Sequence, residues 1–307
     1  MRLELSILYR GALSSCNYDC PYCSFAKHWE SPEELRADRE GLERFCVWVA
    51  SRTDDQIAVF FTPWGETLVR SWYREAIVEL SLLPQVTKVA VQTNLSCNLE
   101  WLCHAKREKL GLWCTYHPGR TTLAAFVGQC QRLQQFGVRH SVGCVGLREH
   151  LPDIEALRQM LPSETYMWIN ACKSKPNYYD RQLLETLEGI DPLFPINNTR
   201  HESRGHSCRT GHKVVTVDSR GDMRRCHFVD IVIGNIYEPA FEKVLTPTTC
   251  PNATCGCHIG YAHLDHLQLD HVFGDRILER IPNPTALQAR HLRNGPNAMA
   301  LDVGTSH

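Results

Sequence analysis

The chain has 307 residues, 43% hydrophobic and 22% charged, with a formal net charge of -1. That composition is globular, and near-neutral charge without a basic stripe leaves little attraction for nucleic acid or membrane surfaces. No run approaches the roughly 18 apolar residues of a membrane span, and the first residues lack a signal peptide's apolar region, so a cytoplasmic protein is expected.

The predicted elements alternate along the chain. Short apolar runs predict strands at 4–9, 56–61, 87–92, 111–116, 138–145 and 165–170. Amphipathic stretches lie between them, near 32–52, 69–83, 98–109, 122–136 and 151–161. The first helix has a clear start, with Ser31 as cap, Pro32 at the first position and an acid at the third. Six strands alternating with helices imply a parallel sheet built by right-handed crossovers. Candidate chemistry just after the strands favours a partial (β/α)6 barrel of the TIM type over residues 1–190. The texture changes after Pro176: a helical piece near 179–189, a polar stretch at 197–204, then a hairpin whose strands are 213–217 and 223–228. A boundary is expected between about 176 and 206, with a small β-hairpin/helix subdomain at 206–265 and a C-terminal helix and tail at 266–307. The tail beyond about 285 is expected to fray.

Fifteen cysteines dominate the chemistry. The odd number and the missing secretory signal point to reduced thiols rather than a disulfide framework. Seven of them, Cys46, Cys97, Cys103, Cys114, Cys130, Cys144 and Cys172, stand singly and read as small core hydrophobes. Three crowd into Cys16-Asn17-Tyr18-Asp19-Cys20-Pro21-Tyr22-Cys23, a CxxxCxxC directly after the first strand. Three thiolates can hold three irons of a [4Fe-4S] cluster and leave the fourth iron open. An open position is what separates a catalytic metal site from a structural one. A zinc site usually needs a second ligand pair, and none follows closely.

This motif, with an aromatic before its last cysteine, resembles the signature of the radical S-adenosylmethionine (radical SAM) superfamily. The resemblance implies that Cys16, Cys20 and Cys23 bind a [4Fe-4S] cluster whose open iron is chelated by SAM. Reductive cleavage would then give a 5′-deoxyadenosyl radical, with Tyr22 beside the adenine. Thr62-Pro63-Trp64-Gly65-Glu66-Thr67 is similar to the family's GGEP motif, with Trp for the first Gly and Thr for the Pro. There Gly65 would admit backbone carbonyls to the SAM amino group and Glu66 would accept a hydrogen bond nearby. Gln92-Thr93-Asn94 resembles the TNG-like segment, with Leu95 in place of Gly. Cys114-Thr115-Tyr116-His117-Pro118 ends the fourth strand where the family contacts SAM; Tyr116 is the candidate, and a packed turn is the alternative for Tyr116 and His117. Val142 to Glu149 resembles GxIxGxxE with altered spacing, which assigns Val145 to the adenine and leaves Arg148 and Glu149 as candidates. Glu149 equally suits the first turn of the next helix. Asn170 is a further candidate, at a strand's C-terminal end.

Five cysteines follow position 200. Cys208 and Cys226 stand at the two ends of the hairpin, and Cys250, Cys255 and Cys257 come after it. The segment looks like the opening of the SPASM and Twitch subdomains, which hold auxiliary [4Fe-4S] clusters in many radical SAM enzymes. Five cysteines are too few for the two clusters of a full SPASM domain, so the resemblance implies one, Twitch-like. Cys208, Cys226, Cys255 and Cys257 are the favoured ligands and Cys250 the alternative. A zinc site that enlists His227 and His258 is the other reading. His258, His263, His266 and His271 read as a polar helix face.

The expectation is an oxidoreductase-type enzyme that oxidises or cross-links a peptide or small molecule, served by a reductant such as flavodoxin or ferredoxin. With the chain starting at the first strand, no leader-binding domain is expected, and a partner protein would have to deliver a peptide. The alternative is a non-catalytic or electron-relay iron–sulfur protein. The complete triad and Gly65-Glu66 argue against it.

Overall fold

Nine strands hydrogen-bond into one sheet. The computed structural model describes residues 2–23, 25, 28–274 and 278–285; the expected tail beyond 285 lies outside the described residues. Strands β1 (Glu4–Arg10), β2 (Gln56–Phe61), β3 (Val86–Thr93), β4 (Leu110–Thr115), β5 (Arg139–Gly146) and β6 (Met167–Ala171) lie side by side in chain order and run parallel. The pairing Tyr9↔Phe61, Phe61↔Val91, Thr93↔Cys114, Thr115↔Gly143 and Gly146↔Ala171 brings all six C-terminal ends to one edge.

The helices form where the apolar spacing asks for them: α1 (Pro32–Ser51), α2 (Ser71–Leu82), α3 (Leu123–Gln135), α4 (Leu151–Met160) and α5 (Arg181–Ile190), followed by the short α6 (Phe194–Asn198). The start of α1 is a full capping box, with Glu34 N–H donating to Ser31 Oγ at 3.2 Å and Ser31 N–H to Glu34 Oε2 at 2.7 Å. The helix expected at 98–109 does not form. Two 3₁₀ turns, Glu100–His104 and Arg107–Lys109, bridge the short span from β3 to β4, because the tighter turn covers more length per residue.

One face of the sheet carries Leu5, Ile7, Tyr9, Val59, Phe61, Val91, Leu112 and Cys114 and packs on the helices. Of the seven scattered cysteines, Cys46, Cys97, Cys114, Cys130 and Cys144 are buried there as small hydrophobes, whereas Cys103 is exposed and Cys172 half-buried, so the core reading fails for those two. The other face carries Leu8, Phe60, Trp113 and Trp168 and is covered by Ile259, Tyr261, Leu264, Val272, Phe273 and Leu278. Each fully buried side chain of this size stabilises the fold by about 1.5–3 kcal/mol.

The later strands are β7 (His201–Glu202), β8 (Ser207–Cys208), β9 (Val214–Asp218), β10 (Asp222–Arg224), β11 (Val232–Asn235), β12 (Thr248–Thr249) and β13 (Thr254–Cys255). Sequence placed the hairpin beyond a boundary; in the structure its strands continue the main sheet. β9 pairs parallel with β1, and β10 and β11 follow antiparallel. Nothing in the local sequence announces that pairing. The remaining strands make two small ladders, β8–β12 and β7–β13. Two short helices follow, α7 (His258–Tyr261) and α8 (Asp270–Phe273). Among the described residues no helix is long and apolar enough to cross a membrane.

Candidate functional site

The cysteine loop leaves β1 and is pinned before it reaches its first thiol. Leu13 N–H donates to Asp38 Oδ1 at 2.9 Å, and Asp38 also receives Trp72 Nε1–H and Tyr73 O–H at 3.0 Å. Burial raises the Asp38 pKa even against those donors. Glu30 accepts from Ser15 N–H at 2.8 Å, Ser14 Oγ–H at 2.9 Å and the Ser14 N–H. Burial pushes its carboxyl up, but the donors from Ser15 and Ser14 prevail and hold the pKa at about 2. From β2, Gly65 N–H donates to Leu13 O at 3.1 Å and Glu66 N–H to Ser15 O at 2.9 Å. A Cβ at position 65 would overlap the Ser15 carbonyl, so only glycine permits this approach.

Cys20 is buried, and Cys16 and Cys23 are half-buried. Each sulfur meets a nitrogen. Tyr18 N–H donates to Cys16 Sγ at 3.3 Å, Asn94 Nδ2–H to the same sulfur at 3.7 Å, and Phe25 N–H to Cys23 Sγ at 3.4 Å. His117 Nδ1 lies 3.4 Å from Cys20 Sγ. Burial pushes the Cys16 thiol up to about 11, with Glu66, Cys20 and Cys23 adding to it, so the three thiols feel one another. Hydrogen bonds to the sulfurs are what a cluster's thiolates require, and the residues fit a [4Fe-4S] group held by three cysteines.

The expected site residues fall into two groups. Glu66 is buried, and both its oxygens are engaged: Leu68 N–H at 3.1 Å and Thr93 Oγ1–H at 2.6 Å reach one, Asn94 N–H at 2.7 Å the other. Thr93 and Glu66 therefore tie the ends of β2 and β3 together, and Asn94 is left to turn its amide to Cys16. Leu95, standing where the family motif has glycine, adopts φ +57, a left-handed conformation that costs a non-glycine residue about 1–2 kcal/mol. Tyr116 is 2% exposed and packs on Phe126 in the helix-side core. Its neighbour His117 instead faces the cysteines, 2.9 Å from Tyr22 Oη and stacked on the Tyr22 ring. Burial, then His150 and Arg120, push the His117 pKa down to about 4. Val145 pairs with Asn170 at the ends of β5 and β6, where Val145 is part-exposed and Asn170 exposed. Arg148 and Glu149 lie outside this group, joined to Asp180 and Tyr178.

Three further residues carried no motif. Arg10 ends β1 with its guanidinium 3.9 Å over the Trp64 ring, and Phe25 stacks on Trp64 at 4.4 Å. Trp64 and Phe25 are both exposed beside the cysteine loop. Lys173 follows β6 and donates to the carbonyls of Asn197 and Gly256.

The late cysteines divide unevenly. Burial raises Cys226 to about 11, with Cys208 and Cys250 as charged neighbours, and Cys255 to about 12, with Cys226, Cys257 and Cys250. Through Cys226 and Cys255 all five late cysteines are electrostatic neighbours, Cys257 included. Cys257 is the most exposed of the five, and its charged neighbours are Lys173, Arg10 and Arg280. Among the described residues no three His, Cys, Asp or Glu come close enough to share a single metal ion. His227 Nδ1 is 2.9 Å from Thr216 Oγ1, and His258 turns to the sheet against Trp113 and Phe273. The expected polar histidine face is overturned at two positions, since His258 and His263 are 3% and 2% exposed. The reason is that α7 is a single turn buried on the sheet.

No protein-family profile and no curated protein matches the sequence. Solved structures do match. One is hexahistidine-tagged anSMEcpe with bound AdoMet (S-adenosylmethionine), with a TM-score of 0.51 at 15% identity over 79% of each chain. Native anSMEcpe with AdoMet and a Cp18Cys peptide gives 0.51 at 16% over 78% of this chain and 82% of that one. The form with a Kp18Cys peptide gives 0.52 at 16% over 79% and 80%. The chain therefore shares a mixed α/β fold, built on a large parallel sheet, with a protein solved holding AdoMet.

Proposed function

We propose that the chain is a radical SAM enzyme: a partial (β/α)6 barrel over about residues 1–190, with a Twitch-like cysteine region at 206–265. The observation that carries this reading is the seat of the CxxxCxxC loop. It sits at the C-terminal edge of the parallel sheet, clamped by Gly65 and Glu66 from the loop after β2 and met at its sulfurs by Asn94 and His117 from just beyond β3 and β4. Ligands in such sheets bind beyond the strands' C-terminal ends. The likeness to an AdoMet-bound structure supports the same reading.

Cys16, Cys20 and Cys23 would hold the [4Fe-4S] cluster. When bound, it would supply the electron that cleaves SAM to a 5′-deoxyadenosyl radical. Gly65 keeps the backbone clear for the SAM amino group, and Glu66 with Thr93 fixes the strand ends rather than reaching the ligand. Tyr22, Asn94, His117 and Val145 face the place where SAM would lie. Tyr116 supports His117 from the core. Four of the five late cysteines would hold the second [4Fe-4S] cluster: Cys208, Cys226, Cys250 and Cys255, with Cys257, the most exposed, as the spare. The substrate would be a peptide or small molecule, the outcome an oxidation or cross-link, and the electron source a flavodoxin or ferredoxin in the cytoplasm.

The test is anaerobic reconstitution followed by SAM and dithionite. Formation of 5′-deoxyadenosine that depends on Cys16, Cys20 and Cys23 is expected. None above background would sink the reading.

A further inference from the structure

On the face of the sheet away from the helices, Arg280 is buried with its Nε and Nη1 donors unused. It is 1% exposed, and its guanidinium lies 5.1 Å from the Trp168 ring and 6.0 Å from the Trp113 ring. The two indoles meet edge to face at 5.4 Å, and His258 lies 5.4 Å from Trp113. Arg280 Nε and Nη1, both indole nitrogens and His258 Nε2 are buried without a hydrogen-bond partner. Asp191 faces Arg280 at 3.8 Å, too far for a hydrogen bond. Its oxygens already receive Tyr166 O–H and Leu193 N–H at one atom and Ile169 N–H at the other. Asp191 therefore balances the charge of Arg280 from the Nη2 side and leaves Nε and Nη1 unmet. Buried polar groups nearly always have partners, so this many unused donors in one layer indicate an acceptor that binds there.

We propose that Arg280, Trp113 and Trp168 form a binding site for a carboxylate, the anionic group of the substrate. A guanidinium offers a planar fork that matches the two oxygens of a carboxylate, and the indole N–H groups can cap the remaining lone pairs. Lys173 is a charged neighbour of Cys257 together with Arg280, and burial, against the attraction of Cys257, lowers its pKa to about 8. Asp191 already offsets charge at Arg280, which suits a monoanion better than a doubly charged phosphate. The site rests on the radical SAM reading only where it calls this ligand the substrate.

The test uses the reconstituted full chain without SAM or reductant. Acetate and, in a parallel arm, phosphate are titrated while tryptophan fluorescence and thermal midpoint are followed. Acetate should give a saturable response, tighter than phosphate. R280Q should weaken it by about tenfold or more, the size expected for a lost charge-assisted pair. R280K keeps the buried charge beside Asp191, guards against a variant that fails to fold, and should still bind several-fold more weakly. W113F keeps the ring, removes one donor, and should also weaken binding. No saturable response to acetate, equal affinity in wild type, R280K and R280Q, or phosphate binding tighter than acetate would overturn the proposal. Because no SAM is present, failure of SAM cleavage and failure of this site are read separately.

Discussion

The two cysteine regions use the same local device and are supported differently. In each, a backbone N–H two residues on donates to a sulfur: Tyr18 to Cys16 and Phe25 to Cys23 early, Phe228 to Cys226 and Cys257 to Cys255 late. The early loop is also clamped from outside by Asp38, Glu30, Gly65 and Glu66, groups fixed on α1, its approach and the loop after β2. Of the late thiols, Cys208, Cys250 and Cys255 hang on two ladders of two residues each and the bridge Arg204↔Cys250, and Cys226 follows β10 near the edge of the main sheet. The sheet therefore preorganises the first site. The second has less regular structure around it, so a metal bound there would be coupled to folding.

Replacing Cys16, Cys20 and Cys23 together by Ala should abolish 5′-deoxyadenosine and halve the iron, with little loss of thermal stability. Replacing Cys208, Cys226, Cys250 and Cys255 should also halve the iron but lower the thermal midpoint much further; equal midpoints would erase the contrast. A sharper version uses single changes: C250A should lose the second cluster's iron and C257A should keep it, read by iron and sulfide assay. The reverse result would return Cys257 to the ligand set. Next in size is Gly65→Ala. The new methyl must displace the Ser15 carbonyl, and a shift of about 1 Å in a reacting group costs on the order of 100-fold in rate; SAM cleavage in single turnover would measure it. The smallest effect concerns Glu30. Its folded pKa of about 2 lies below the ordinary 4.5, so its contribution is present above about 4.5 and is lost as pH falls towards 2. Wild type should therefore be more stable than E30Q at pH 7, and the gap in thermal midpoint should narrow by pH 3. A constant gap would mean that Glu30 acts by shape alone.

The strand ends were legible because a parallel sheet writes each strand as a short apolar run with its chemistry just after it. The first six strands came out within about two residues of their expected bounds, at the usual uncertainty of such limits. The side of β4 is legible too, although the motif points to Tyr116. Trp113 and Cys114 alternate between the two faces, so by period two Tyr116 belongs with Cys114 on the helix side. His117 was the residue left to face the cysteines. The helix at 98–109 is replaced by two 3₁₀ turns, a difference that the window's apolar pattern does not encode. The role of Arg280 was illegible: its partners come from β4, β6 and α7, and no local spacing encodes such a meeting. The pairing of β9 with β1 was hidden for the same reason.

That pairing has a consequence for how the protein is made. β1 begins at Glu4, and the strand that covers its open side begins at Val214. While the intervening residues are still being synthesised, β1 can pair with β2 yet presents a bare row of backbone groups on its other side, a template for a neighbouring nascent chain. The ribosome thus releases a sheet whose edge is closed only when two-thirds of the chain exists. A shortened gene that stops before β9 should yield aggregates even with every residue of the early cysteine loop intact.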